Sequence, residues 1–140
     1  GEVKVGNFGI DLSKVKTPSY FLSTKEDHIA LWDATFMGSR LLGSETTLVL
    51  GESGHVAGVV NPPNKNKYGY WLSDAPFESA EQWLASAKRE GGSWWPHWQQ
   101  WVTPYLGEQP VPARAVGSAE CPGLMPAPGR YVQQALPIED

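Results

Sequence analysis

The sequence predicts an α/β fold: a βαβ unit of a mostly parallel sheet, followed by helices and an extended Pro/Gly-rich tail. Three observations carry that prediction. Ser19 to Ser23 and Thr46 to Leu50 are short apolar runs of the kind seen in strands buried on both faces. Between them Ile29, Trp32, Phe36, Met37 and Leu41 recur at helical spacing. From about Asp74 the chain changes character, with four of its 7 Trp between Trp94 and Trp101 and most of its 12 Pro from Pro96 onward.

Taken in order, the first strand follows Pro18, and the helix is expected from Asp27, an acceptor suited to cap it, to a stop at Gly43. The second strand ends at Gly51. A parallel pair joined by a crossover helix brings both strand ends to one edge of the sheet, where open α/β sheets place their sites. Pro62 and Pro63 then forbid a regular helix, and GVVNPPNKNKYGYW reads as a loop. Ser79 with Gln82 forms a capping box for a helix whose Ala80, Trp83, Leu84 and Ala87 share a face, with Gly91 and Gly92 as its stop. A further helix starts near Ser93, aligns Trp94, Trp98 and Trp101, and closes at Pro104. Beyond it the tail has no periodicity and reads as extended chain lying on the body.

Composition excludes several function classes. With 11 Lys and Arg, a net charge of -4 and no dense basic run, phosphate-backbone binding is not encoded, so no nucleic-acid partner is expected. No run of about 18 apolar residues exists, so no transmembrane segment is expected, and no leader opens the chain. The lone Cys121 has no partner for a disulfide or a CxxC metal site, in keeping with a reducing, cytoplasmic setting. Because Gly1 stands where a start methionine would and a central-looking strand follows within about twenty residues, the expectation is a C-terminal portion of something longer.

The chemistry concentrates in Asp27 and His55, 28 residues apart and each just past a predicted strand. A histidine base needs an acid or carbonyl to fix its tautomer and reach to a nucleophile. Asp27 can serve as that acid while it caps the helix, since backbone N–H groups keep a carboxylate ionised. His28 follows Asp27 directly and points elsewhere, and is assigned packing or orientation of the site. His97, inside WWPHWQQW, reads as a partly exposed member of an aromatic face. No HxxxH or HxH spacing supports a metal. Lys65 and Lys67 stand where cations either meet a phosphate-bearing substrate or solvate a loop, and the Trp row reads as packing core or a sugar-stacking platform. The nucleophile is missing: there is no GxSxG or GxCxG elbow, Ser53 is too close to His55, and Cys121 lacks a strand-turn-helix setting.

Four blocks, KEDHIALW, LGESGHVAGVVNPPNKNKYGYW, GGSWWPHWQQW and APGRYV, resemble in order and spacing the C-terminal part of poly(3-hydroxyalkanoate) synthases of the short-chain, class I type. The resemblance runs from about Asp11 to Val132. It implies the C-terminal portion of an α/β-hydrolase-like fold, with residues 1–75 in the catalytic core and 76–140 a Trp-rich helical segment and tail of the same catalytic domain. It implies polymerisation of (R)-3-hydroxyacyl-CoA with release of CoA by a Cys-His-Asp triad, His55 and Asp27 supplying two members. The cysteine is expected upstream of these residues, so this chain alone is expected to be inactive. Coenzyme A is part of the substrate, and no cofactor or metal is implied. The implied partners are the substrate, the growing polyester, the upstream part of the synthase and a second subunit in a homodimer; the implied location is the surface of cytoplasmic polyester granules. One departure is visible, Leu31 standing where the family commonly has proline in the helix's first turn. An esterase or depolymerase on the same scaffold and a non-catalytic Trp-rich interaction module are the competing readings.

Overall fold

The structure, a computed structural model, describes residues 3–75 and 78–135. They fall into two compact units, Gly1–Leu106 and Gly107–Asp140. The first opens with an exposed antiparallel pair, β1 (Lys4–Val5) and β2 (Phe8–Gly9). It continues through β3 (Ser19–Thr24), α1 (Trp32–Ser39), β4 (Thr46–Gly51), β5 (Tyr70–Leu72), α2 (Ala80–Ser86), β6 (Lys88–Glu90) and α3 (Trp95–Val102).

The expected βαβ unit is present: β3 and β4 run parallel in the register Ser19 with Thr46 through Thr24 with Gly51, and α1 connects them. The sheet as a whole is mixed, in the order β3-β4-β5-β6, because β4–β5 and β5–β6 pair antiparallel. This corrects the expectation of a mostly parallel sheet for the described residues. Tyr70–Leu72 begins within the stretch read as a loop, and Lys88–Glu90 lies where the helix is expected to continue to Gly91. Both strands are only three residues long and neither has an apolar alternation. They exist because the free edge of β4 is paired from far along the chain.

Strand alternation divides the core between two faces. On one, Phe21, Leu48, Leu50 and Trp71 pack with Phe36 of α1 and Ala80 and Trp83 of α2, and the Trp32 and Trp83 rings meet at 6.1 Å. On the other, Tyr20 meets Trp94, His97 and Trp101 at 6.3, 5.7 and 5.2 Å, so α3 lies on the face opposite α1 and α2. Ser79 Oγ accepts from the Gln82 N–H, which bears out the predicted cap. Helix α1 starts four residues later than expected, with Leu31 in place of Asp27 at its N-cap and no side-chain bond there. Of its predicted apolar face Phe36 is buried, whereas Ile29, Met37 and Leu41 are exposed.

His97 is, as expected, a partly exposed member of an aromatic face, and it is also hydrogen-bonded there. Its Nδ1 lies 2.9 Å from the Tyr20 hydroxyl, and its ring also packs on Tyr70 at 5.9 Å. Burial pushes the Tyr20 phenol well up, with Tyr70 adding to it, so the hydroxyl stays protonated beside His97. Burial also lowers the His97 pKa, against the smaller opposing effect of Asp74. A folded-state pKa below the unfolded value of about 6.5 means that this stabilisation is complete above that pH and is lost as pH falls through the folded-state value. Denaturant midpoints should therefore drop on acidification below about pH 6.5, and His97→Phe should flatten that part of the profile.

In the second unit, an isolated bridge joins Gly117 to Pro122, and Ser118 and Cys121 exchange bonds of 2.8 and 3.0 Å. A short 3-10 turn follows at Tyr131–Gln133, and Cys121 is exposed. Among the described residues, no helix is long and apolar enough to cross a membrane.

Candidate functional site

Parallel pairing of β3 and β4 puts their carboxyl ends side by side, and the loops beyond them remain stitched together. The Lys25 N–H donates to Gly51 O at 2.9 Å and the Glu26 N–H to Ser53 O at 3.0 Å. Ser53 takes the left-handed conformation, φ 70°, which turns the chain between Glu52 and Gly54 just ahead of His55. The result brings Asp27 Oδ1 to 3.3 Å from His55 Nδ1.

The same Asp27 oxygen accepts the N–H groups of Ile29 at 2.8 Å and Ala30 at 3.1 Å. Asp27 thus caps the turn ahead of α1 and not the helix itself. Those two N–H groups, and after them the His55 imidazole, hold its carboxyl below the usual carboxylate range against the cost of burial. The carboxylate side chain is 11 % exposed and the imidazole 40 %, so the acid is sheltered while the histidine reaches outward. With Nδ1 turned to the carboxylate, Nε2 on the opposite side of the ring is the nitrogen that can take a proton from a nucleophile. The His28 ring packs beside that of His55, centroids 5.5 Å apart.

The segment bearing His55 is more ordered than a loop. Gly58 N–H donates to Gly54 O and Val60 N–H to Val56 O, both at 2.8 Å, which makes helix-like turns. Two adjacent indoles hold it from α3: Trp94 Nε1 donates to the carbonyls of Gly58 and Val59, each at 3.2 Å, and Trp95 Nε1 to Val59 at 3.0 Å. Neither tryptophan was read from sequence as serving this segment. A Cβ on Gly58 would lie 2.4 Å from Glu52 O, 2.7 Å from Thr24 Cγ2 and 2.8 Å from Gly54 O. Two of these are backbone atoms that cannot swing away, so Gly58→Ala should destabilise by about 1–3 kcal/mol and shift the His55 segment. Denaturation of the variant beside wild type measures the first effect.

Sequence reasoning also missed Glu52 and Arg89. The Glu52 carboxylate accepts Arg89 Nε at 3.1 Å and Nη2 at 2.8 Å, and the Gly69 N–H at 2.7 Å. Arg89, then Gly69, holds its carboxyl below the usual range. Residues 37 apart gave no local signal for this pairing.

Of the remaining candidates, Lys67 borders the site, since its partner Tyr68 also bonds to Ser53. The Lys67 ammonium sits over the Tyr68 ring, 5.0 Å from its centroid, and the Lys65 N–H donates to Pro62 O in the preceding turn. Among the described residues, no cluster of three His, Cys, Asp or Glu side chains is placed to hold a metal. A cavity of about 510 Å³ opens at the amino end of β4, lined by Ser39, Thr46, Thr47, Ser73 and Trp83 among others. That is the end of the sheet opposite Asp27 and His55, so the cavity is not part of their chemistry.

A mixed α/β unit with a carboxylate and an imidazole paired at the carboxyl edge of parallel strands has the acid and base geometry used by triad enzymes. Comparison with curated proteins shows what the chain is similar to. The chain is 42 % identical, over 95 % of its length, to the poly(3-hydroxyalkanoate) polymerase subunit PhaC of Cupriavidus necator. It is 47 % identical over 95 % to the subunit of that name in Rhizobium meliloti, and 45 % over 95 % to the poly(3-hydroxyalkanoate) polymerase of Methylorubrum extorquens. It covers 23, 21 and 22 % of those three proteins, so it spans about a fifth of the relatives' length. The chain is a relative of the poly(3-hydroxyalkanoate) polymerases and matches their C-terminal part, as the four sequence blocks predicted. No protein-family model matches it.

Proposed function

We propose that this chain supplies the acid and base of a polyester synthase that polymerises (R)-3-hydroxyacyl-CoA and releases CoA. The observation that carries the reading is the 3.3 Å approach of Asp27 Oδ1 to His55 Nδ1, formed by residues inside the matched blocks. The relatives' name supplies the polymerisation; the pair supplies the means.

In this reading His55 Nε2 takes the proton of a cysteine thiol carried on an upstream segment. Thioester exchange needs the thiolate, and a neighbouring imidazole lowers a thiol's pKa enough to provide it. The thiolate attacks the carbonyl carbon of the hydroxyacyl-CoA, the C–S bond to CoA breaks, and the proton held by His55 passes to the departing CoA sulfur. The 3-hydroxyl of one unit then attacks the enzyme-bound acyl group of another, losing its proton to the same base, while the acyl bond to the cysteine sulfur breaks and the thiolate is released. Asp27, ionised and sheltered, stabilises the imidazolium at each step and supports activation of the hydroxyl. Coenzyme A enters only as part of the substrate, and the reading requires no other cofactor. We assign residues 1–75 and 76–140 to one catalytic domain, acting as a homodimer at the surface of cytoplasmic polyester granules and inactive without the cysteine.

The test is to supply (R)-3-hydroxybutyryl-CoA to the polypeptide that carries this chain and to follow free CoA and polymer together. Both should rise in step. Cleavage of simple esters with neither product would establish the hydrolase reading instead. Adsorption of this chain to polyester, with no CoA released by the whole polypeptide, would favour an interaction module.

A further inference from the structure

We propose that Glu52 and Arg89 are positioning residues, a carboxylate latch that sets the direction of the His55 imidazole; this rests on the reading of His55 as the base. Glu52 is the first residue beyond β4 and stands three before His55. Its N–H donates to Gly69 O at 2.9 Å while its carboxylate accepts the Gly69 N–H at 2.7 Å, so both its backbone and its side chain are bound to the approach to β5. The remaining carboxylate capacity takes both arms of the Arg89 fork from β6.

The latch also reaches the acid loop. Arg89 lies 5.9 Å from the centre of the Trp71 ring, and the Lys25 ammonium lies 4.8 Å from that ring, two residues before Asp27. Glu52 O is in turn one of two backbone atoms packed against Gly58, beyond His55. Glu52 therefore ties the segment bearing the base to two strands on one side and, through Trp71, to the segment bearing the acid on the other.

An isolated ion pair on a surface contributes little to stability, and Arg89 is half exposed. The effect of the latch is local. The His55 ring meets Asp27 and His28, and the chain that carries it to them leaves β4 through residues 52–54. That backbone passes through the left-handed Ser53, where release of Glu52 lets the turn relax. Displacement of a catalytic group by about 1 Å costs up to about 100-fold in rate, so a modest relaxation is enough to register.

The experiment compares Glu52→Gln, Arg89→Ala and Arg89→Lys in the polypeptide that carries this chain, measuring kcat and KM for (R)-3-hydroxybutyryl-CoA and the ¹⁵N ring shifts of His55. Glu52→Gln and Arg89→Ala should lower kcat by about tenfold with KM within about twofold, and should turn a single Nδ1-protonated ring form into a mixture of tautomers. Arg89→Lys, which keeps the charge and loses the fork, should fall between them and wild type. Wild-type kcat with wild-type ring shifts in all three overturns the latch, whatever their melting temperatures. If the first two fail to fold, Arg89→Lys carries the test alone by the same criterion. Activity retained in His55→Ala would instead bring down the catalytic reading, and the ring shifts in the other variants would still decide whether Glu52 positions His55.

Discussion

His55→Ala should reduce polymerisation by about 10³–10⁴-fold, with CoA release falling in parallel, in the polypeptide that carries this chain. The size of the loss separates two roles. A cysteine left at its ordinary pKa of about 8.5 is still about 3 % thiolate at pH 7, so loss of thiol activation alone costs roughly 30-fold. Anything larger requires the imidazole also to deliver a proton to the departing sulfur and to remove one from the attacking hydroxyl. Initial rates of CoA release, with the fold checked by circular dichroism, measure it. The substitution removes a side chain that is 40 % exposed and outside the apolar cluster around Leu50, so the fold should survive. A loss of about 30-fold would reduce His55 to tuning the thiol, and near-wild-type activity would remove it from the site.

The features legible in the sequence are those whose cause is local. Strands β3 and β4 show as continuous apolar runs because both their faces are covered, and α2 shows because Ser79 and Gln82 announce its start. The Asp27–His55 pair was legible because a βαβ unit turns separation along the chain into adjacency at one sheet edge. What stayed hidden depends on distant partners. Lys88–Glu90 is a charged tripeptide that becomes strand only by pairing with β5, and with it the mixed character of the sheet. Glu52 meets Arg89 across 37 residues, and Tyr20 meets His97 across 77. The early start assigned to α1 has a different origin: Asp27 is a good cap, but it spends its oxygen on the Ile29 and Ala30 turn, and the helix begins only at Trp32. The tryptophans of GGSWWP were read as core or platform, since nothing local says that an indole N–H will donate to a carbonyl some 35 residues earlier.

Asp27→Asn should lower kcat by about 100- to 1,000-fold, whereas His28→Gln should stay within about tenfold of wild type. The geometry explains the form of the first loss. One oxygen, Oδ1, receives the Ile29 and Ala30 N–H groups and faces His55 Nδ1. An asparagine carbonyl oxygen can occupy that place and accept all three donors, so the turn and the imidazole's orientation should persist. What asparagine cannot supply is negative charge, which Asp27 retains at any pH where the enzyme would work because its donors hold it ionised. The loss should therefore appear in kcat, with KM and the denaturant midpoint little changed, since the charge matters only when the ring becomes cationic. Asp27→Ala removes the acceptor as well as the charge, and should add a fall in stability that Asn does not show. His28 lies against the base and its ring contributes packing; glutamine retains much of that bulk. Parallel turnover measurements on the three variants decide the assignment. If His28→Gln proved severe and Asp27→Asn mild, the residue supporting the base would be the neighbour, and a carboxylate 3.3 Å from Nδ1 would be serving only to cap a turn.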